Sequence, residues 1–398
     1  MQRNPRRPRP VAARHPLLCL GAALLLLLWP APASAFQAQK PIDPQVLQST
    51  TGSTEVGVLD GAEYRIDIPA DWNGSLVLYY HGYTEHGTSF HITEHLHPDL
   101  ETLTDRHYAV AQSAYSEGGW ALQQAYPESE ALRHYFDHKY GHPKEAYVVG
   151  GSMGGALVMI TLELNPKPFL GGLDLCGAVG PTFVSFDRRF ALRAAFDTYF
   201  PGVMGPLVPV PADFDDTAAV RDRVLNALKA NPANATLLRN LMGLHTDASV
   251  SRDIAYFTFV IADLQRRAGG NPFDNRNVIY SGSSPTTSAT DIELNDTVHR
   301  YAADRKAREY LVHHYTPTGH LGRPMLAVHT VYDPLIPPSL LTLYNEMVEG
   351  VGAGDRLVQQ YVPRDGHCSI TPEEIGHAFD ELVTWTHDGA RPQPGLLR

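Results

Sequence analysis

Cysteine is nearly absent from this chain of 398 residues: Cys19, Cys176 and Cys368 are the whole set. The first lies in an N-terminal stretch that reads as an export leader, so the rest of the chain has one possible internal pair and no disulfide-dense scaffold. Long apolar runs are equally scarce. Beyond residue 29 no stretch is long and apolar enough to cross a bilayer. Positive charge is also in deficit, with 32 Lys and Arg against 43 Asp and Glu. Arg3, Arg6, Arg7, Arg9 and Arg14 fall in the leader, which carries no acid, so the remainder is more acidic than the formal net charge of −11. A surface of that sign does not grip nucleic acid or anionic lipid over a broad face. No internal repeat is visible.

The leader itself has three parts. Its basic residues precede an apolar run, residues 17–29, and Ala33-Ser34-Ala35 offers small residues for cleavage before Phe36. That pattern predicts a secretory signal peptide over residues 1–35 and a secreted or periplasmic product.

Beyond it, residues 57–69 read as antiparallel strands joined at Asp60-Gly61, and 75–82 (SLVLYYHG) and 108–116 as buried strands. Residues 128–140 have helical spacing and stop at Gly141. The stretch EAYVVGGS reads as a strand, MGGALVMITLEL as an apolar helix, and 170–179 as another strand. Helices with polar linkers follow, among them 218–229, 254–267 and 291–313. The last third alternates strand (324–331), helix (339–351), strand (357–362) and helix (372–387). Alternation of this kind predicts a parallel sheet covered on both faces, residues 36–186 and 320–398, interrupted by a mainly helical insertion at 187–319.

Gly150-Gly151-Ser152-Met153-Gly154 fits G-x-S-x-G between a predicted strand and a predicted helix. A nucleophile there needs small neighbours, because the turn must push the hydroxyl above the sheet while backbones pass closely. The following helix N-terminus favours negative charge forming beside it. A phosphate-cradling loop would carry a lysine after the glycines, and none is present. Serine needs a base, and the base an orienting acid. Asp333 directly follows a predicted strand, and His367 lies in the loop after the next one. Asp365 and Asp174 are rival acids. The first is too close in sequence to His367 to face it easily, and the second lies within a strand. For the oxyanion, the expected donors are the backbone N–H groups of Met153 and of Tyr83, which follows His81-Gly82.

These motifs, over residues 75–179 and 324–387, resemble a secreted serine esterase of the α/β-hydrolase superfamily. The elbow and its preceding helix are most similar to polyester depolymerases and feruloyl esterases. The resemblance implies an eight-stranded, mostly parallel sheet with Ser152, Asp333 and His367 above it, and makes residues 187–319 a cap or lid. It implies cleavage of small or polymeric carboxylic esters through an acyl-enzyme, with no metal or organic cofactor, nucleic acid or obligate protein partner. Feruloyl esterases of the tannase kind link a cysteine beside the catalytic histidine to one beside the serine. Here Gly151 precedes Ser152, so Cys368 beside His367 has Cys176 as its candidate disulfide partner, the alternative being two buried free thiols. Homoserine acetyltransferases and proline iminopeptidases share a similar elbow. Acyl transfer would need acetyl-coenzyme A, which an exported enzyme lacks, and an aminopeptidase needs cap acids that the insertion can supply.

Two other patterns compete for attention. HITEH, residues 91–95, matches the inverted zinc-protease motif, but it falls where the hydrolase reading wants a loop and short helix. Tyr83, Trp120, Tyr256, Phe257 and Phe259 are available to a pocket, although aromatics at helical spacing are more often core. The sequons at Asn73, Asn234 and Asn295 matter only where a host glycosylates.

Overall fold

A computed structural model describes residues 41–398; the expected leader, residues 1–35, lies outside them. Three antiparallel strands come first, β1 (Ile42–Gln48), β2 (Gly52–Leu59) and β3 (Ala62–Pro69), with β2 and β3 joined through Asp60 and Gly61, both at positive φ. Asp-Gly is the pair that a two-residue hairpin turn favours. Then the chain alternates: β4 (Leu76–Tyr80), α1 (Pro98–Thr104), β5 (Ala109–Ser113), α2 (Leu122–Tyr140), β6 (Ala146–Gly151), α3 (Met153–Leu164) and β7 (Gly171–Leu175). Six helices follow before the sheet resumes: α4 (Thr182–Tyr199), α5 (Ala218–Ala230), α6 (Pro232–Met242), α7 (Asp247–Ala268), α8 (Ala289–Thr297) and α9 (Arg305–His313). The chain closes with β8 (Met325–Tyr332), α10 (Pro338–Gly350), β9 (Leu357–Asp365), α11 (Pro372–Asp388) and β10 (Gly395–Leu396).

The strands form one sheet in the order β1-β2-β3-β5-β4-β6-β7-β8-β9-β10, parallel from β5 through β10. The eight expected strands are thus extended by an exposed strand at one edge and a two-residue strand at the other. Side-chain alternation decides which helices cover which face. Leu76, Leu78 and Tyr80 of β4 pack with Leu132 and Phe136 of α2, Leu157 of α3 and Leu341 of α10. Val77, between them, points to the opposite face with Leu103 of α1 and Phe379 and Leu382 of α11. The same split separates Ala327 from Leu326 and Val328 on β8. Helices α4 to α7 share a third cluster, with Phe196, Val224, Leu238 and Ile254 buried together.

Two helices depart from the sequence reading. The stretch expected as one helix over 291–313 is two, because side chains of Asn271 and Asn275 capture the backbone between them. Asn275 donates to the His299 carbonyl and accepts from the Tyr301 N–H, and Asn271 donates to the Ala302 carbonyl. Helix α4 begins before the expected insertion boundary, at Thr182. Among the described residues no helix is long and apolar enough to cross a membrane.

Candidate active site

Strand order reverses at β4, which lies between β5 and β6. A crevice therefore opens at the C-terminal ends of β4 and β6, where open α/β sheets bind their ligands. Ser152 sits there, between β6 and α3, with φ 58 and ψ −117. A non-glycine residue at positive φ is strained, and its surroundings have to hold it. Its N–H donates to the Leu175 carbonyl at 2.9 Å, and its own carbonyl accepts from Ala178 at 3.0 Å. Two glycines make the turn possible. A Cβ on Gly150 would come 2.4 Å from the Gly154 carbonyl oxygen, and one on Gly154 would come 2.0 Å from that of Tyr80. An inner strand order of β2-β3-β5-β4-β6-β7-β8-β9 with a strained serine turn after β6 decides the architecture. The chain has the α/β-hydrolase fold.

The strand ends of this hydrolase fold bring three predicted residues together. His367 Nε2 is 2.8 Å from Ser152 Oγ, and His367 Nδ1 is 2.7 Å from Asp333 Oδ2. In the tautomer that the carboxylate selects, Nδ1–H donates to Asp333 and Nε2 accepts from the hydroxyl. The other oxygen of Asp333 accepts from Leu335 and Ile336 N–H, both at 2.9 Å. Burial pushes the Asp333 carboxyl up, yet the hydrogen bond and charge of His367 and the Ile336 N–H outweigh it and leave the pKa below its ordinary value. Asp333 stays ionised. His329 lies beside it, 3.6 Å away, with burial holding the imidazole below its usual range while Nε2 faces the Ile336 carbonyl at 2.8 Å.

Of the rival acids, Asp365 ends β9 in an exposed position, and Asp174 is wholly buried in β7. Asp174 fits beneath the serine turn, where a Cβ on either Gly155 or Gly177 would overlap its carboxylate. Burial drives its pKa up to about 8, against the opposing Gly177 N–H.

The His367 loop is fastened from three sides. Gly366 N–H donates to the Tyr332 carbonyl, and Thr330 Oγ1 donates to that of Gly366, both at 2.8 Å. Cys368 forms a disulfide with Cys176, at a Cα separation of 5.3 Å. Both cysteines, like Ser152, have positive φ.

The loop after β4 runs against the serine: a Cβ on Gly82 would lie 3.3 Å from Ser152 Cβ. Tyr83 follows it, and Met153 opens α3, whose first N–H groups have no partner within the helix. A cavity of about 170 Å³ touches Ser152, lined mainly by Tyr79, Val149, Leu175, the disulfide and Ile370.

Residues 91–95 form a turn and loop, with His91 and His95 exposed. Clusters of three or more metal-binding side-chain types among the described residues are Cys176-His367-Cys368 and Glu85-His86-Asp215, and neither contains these histidines. Of the aromatics, Tyr256 packs edge-on to Tyr83, Trp120 edge-on to Phe186, and Phe259 edge-on to His86, while Phe257 is core. Sequence reasoning passed over Arg188 and Arg189 on α4. They donate to the carbonyls of Pro334 and Leu335, next to the acid. The available signal was a pair of arginines beside a buried apolar run.

No protein-family model matches the chain. Its sequence is similar to the o-phthalyl amidase of Xanthobacter agilis, with 22% identity over 418 residues that span 88% of this chain and 90% of that enzyme. Its structure is similar to Candida antarctica lipase A in its closed state, with a TM-score of 0.49, 13% identity, and 92% and 85% of the two chains covered. It is also similar to feruloyl esterase B from Aspergillus oryzae, with a TM-score of 0.45, 11% identity, and 87% and 82% covered.

Proposed function

We propose that the protein is an exported serine hydrolase that cleaves carboxylic esters through an acyl-enzyme. The observation that carries this reading is the unbroken relay from Ser152 Oγ through His367 to Asp333, at 2.8 and 2.7 Å. Ser152 attacks the carbonyl as His367 takes its proton, and Asp333 stabilises the imidazolium that results. The Met153 and Tyr83 N–H groups receive the oxyanion. His367 then protonates the leaving alcohol, and water, activated by the same imidazole, releases the acid. The helices at 187–319 act as a cap over this crevice. The disulfide supports export, since such bonds persist in oxidising compartments.

A second reading keeps the triad and changes the bond. Similarity to an o-phthalyl amidase favours an amide substrate, whose poorer leaving group asks His367 to deliver its proton earlier. Hydrolysis of p-nitrophenyl esters and acyl p-nitroanilides by the wild type and Ser152→Ala separates the two. The ester reading expects ester turnover that falls at least ~1,000-fold in the variant. Serine-dependent turnover of anilides alone would replace it with the amidase reading, and full activity in Ser152→Ala would overturn both.

A further inference from the structure

Arg189 is an unusual residue to find beside a triad. It is 4% exposed, yet among the described residues it forms no ion pair with a carboxylate and feels Asp333 and Asp253 only at longer range. One Nη–H donates to Ser185 Oγ, another to the Leu335 carbonyl, and Nε–H has no protein partner. Both acids are engaged elsewhere: Asp333 with His367 at 2.7 Å, and Asp253 with Arg252 at 3.2 Å. Arg188 adjoins it with the same sign of charge. Burial, then that neighbouring charge, pushes the Arg188 guanidinium down to about 10, and burial lowers Arg189 too. Two guanidinium groups are therefore held beside the triad with less negative charge than they require, which is costly unless something supplies it.

The surroundings point the same way. A series of neighbouring side chains leads from beside the serine to the arginine and past it. A Cβ on Gly82 would lie 3.3 Å from that of Ser152, the next residue Tyr83 packs edge-on to Tyr256 at 5.6 Å, and Tyr256 is followed on α7 by Phe257. Arg189 lies 5.9 Å from the Phe257 ring and 4.9 Å from that of Phe186, which meets Trp120 at 4.8 Å. Along this series Tyr83 Oη, Arg189 Nε and Trp120 Nε1 are all buried without a protein partner. The indole and guanidinium nitrogens can only donate, and the phenol can donate as well. Three unpaired donors, one of them cationic, call for an acceptor-rich anion. The guanidinium, with rings 4.9 and 5.9 Å away, has the flat, two-pronged donor geometry that suits a carboxylate.

We infer that the substrate carries a free carboxylate, held by Arg189 with help from Arg188, Tyr83 and Trp120, while Ser152 attacks a separate acyl carbon of the same molecule. This rests on the serine-hydrolase reading and adds a substrate class to it. The carboxylate is not consumed. Ester cleavage forms and breaks bonds only at the acyl carbon, with water as the second reactant.

Two matched acid and methyl-ester pairs test the inference, one with the charge on the acyl side and one on the leaving group. They are p-nitrophenyl hydrogen glutarate against p-nitrophenyl methyl glutarate, and 4-carboxyphenyl butyrate against its methyl ester. Amide versions of both pairs cover the second reading. In at least one pair the anionic member should have a kcat/KM about tenfold or more above its neutral partner. In Arg189→Gln that ratio should fall towards one, mainly through KM, and Arg189→Lys should restore part of it. A wild type with no preference for the anion in either pair would overturn the inference without any variant. So would a preference that survives Arg189→Gln. Absence of Ser152-dependent turnover of every compound would bring down the hydrolase reading instead, and this inference with it.

Discussion

At the residue scale, the proposed acid can be told from its rivals by its contacts. Asp333 reaches His367 Nδ1 at 2.7 Å and is locked by two backbone N–H groups, whereas Asp365 is exposed at the end of its strand. Asp333→Asn keeps the shape but removes the charge and favours the wrong histidine tautomer, so kcat should fall by ~10,000-fold with KM little changed. Asp365→Asn should leave both constants within about twofold, as surface substitutions usually do. Steady-state kinetics of the two variants would refute the assignment if the losses were reversed. Asp174 supports a different expectation. Its folded pKa is raised from 3.8 to about 8, so between those values the folded chain holds a proton that the unfolded chain has released. Its contribution to stability is therefore present at low pH and lost as pH rises through that window. Asp174→Asn mimics the protonated acid at every pH. The melting temperature of the variant minus that of the wild type should grow from pH 5 to pH 8, and a flat difference would contradict the buried-acid account.

At the scale of elements, the loop that carries His367 depends on its fastening. The disulfide joins the end of β7 to the β9–α11 loop across 192 residues of chain, and closing so long a loop restricts the unfolded state by about 5 kcal/mol in the chain-entropy limit. Cys176→Ser/Cys368→Ser should melt several degrees lower, and its kcat should fall more than its KM rises, because the imidazole loses one of its three tethers. Scanning calorimetry and kinetics on the double variant would count against this if neither changed. Elements also show where sequence reading stops. The elbow, β8 with Asp333 and β9 with His367 were legible because each carries a local signature: an apolar strand, a turn residue, a polar side chain just beyond. β1 was not, since all seven of its residues are exposed and show no alternation. Helix α4 was hidden by Arg189 and Arg193, buried charges on the face that apolar residues would have marked. The break between α8 and α9 is set by Asn271 and Asn275, more than twenty residues upstream, and no local window contains that information.

Taken as a whole, the molecule places its chemistry where its topology reverses. β4 and β6 open the crevice, their C-terminal ends lead into Gly82 and Ser152, and β8 and β9 lead into Asp333 and His367, the proposed acid and base. Chain order carried this placement: Ser152, then Asp333, then His367, each after its own strand. The surroundings of Arg189 were less legible, because Tyr256 and Tyr83 come near enough to influence it only once α4 and α7 have packed together. The central claim is that Ser152 becomes covalently attached to the acyl group. Incubation with a fluorophosphonate, followed by intact mass and peptide mapping, tests it most directly. The account predicts one adduct per chain, on the peptide containing Ser152, with activity lost in proportion and no adduct in Ser152→Ala. Full activity after exposure to the reagent, or stoichiometric labelling at another residue, would contradict it.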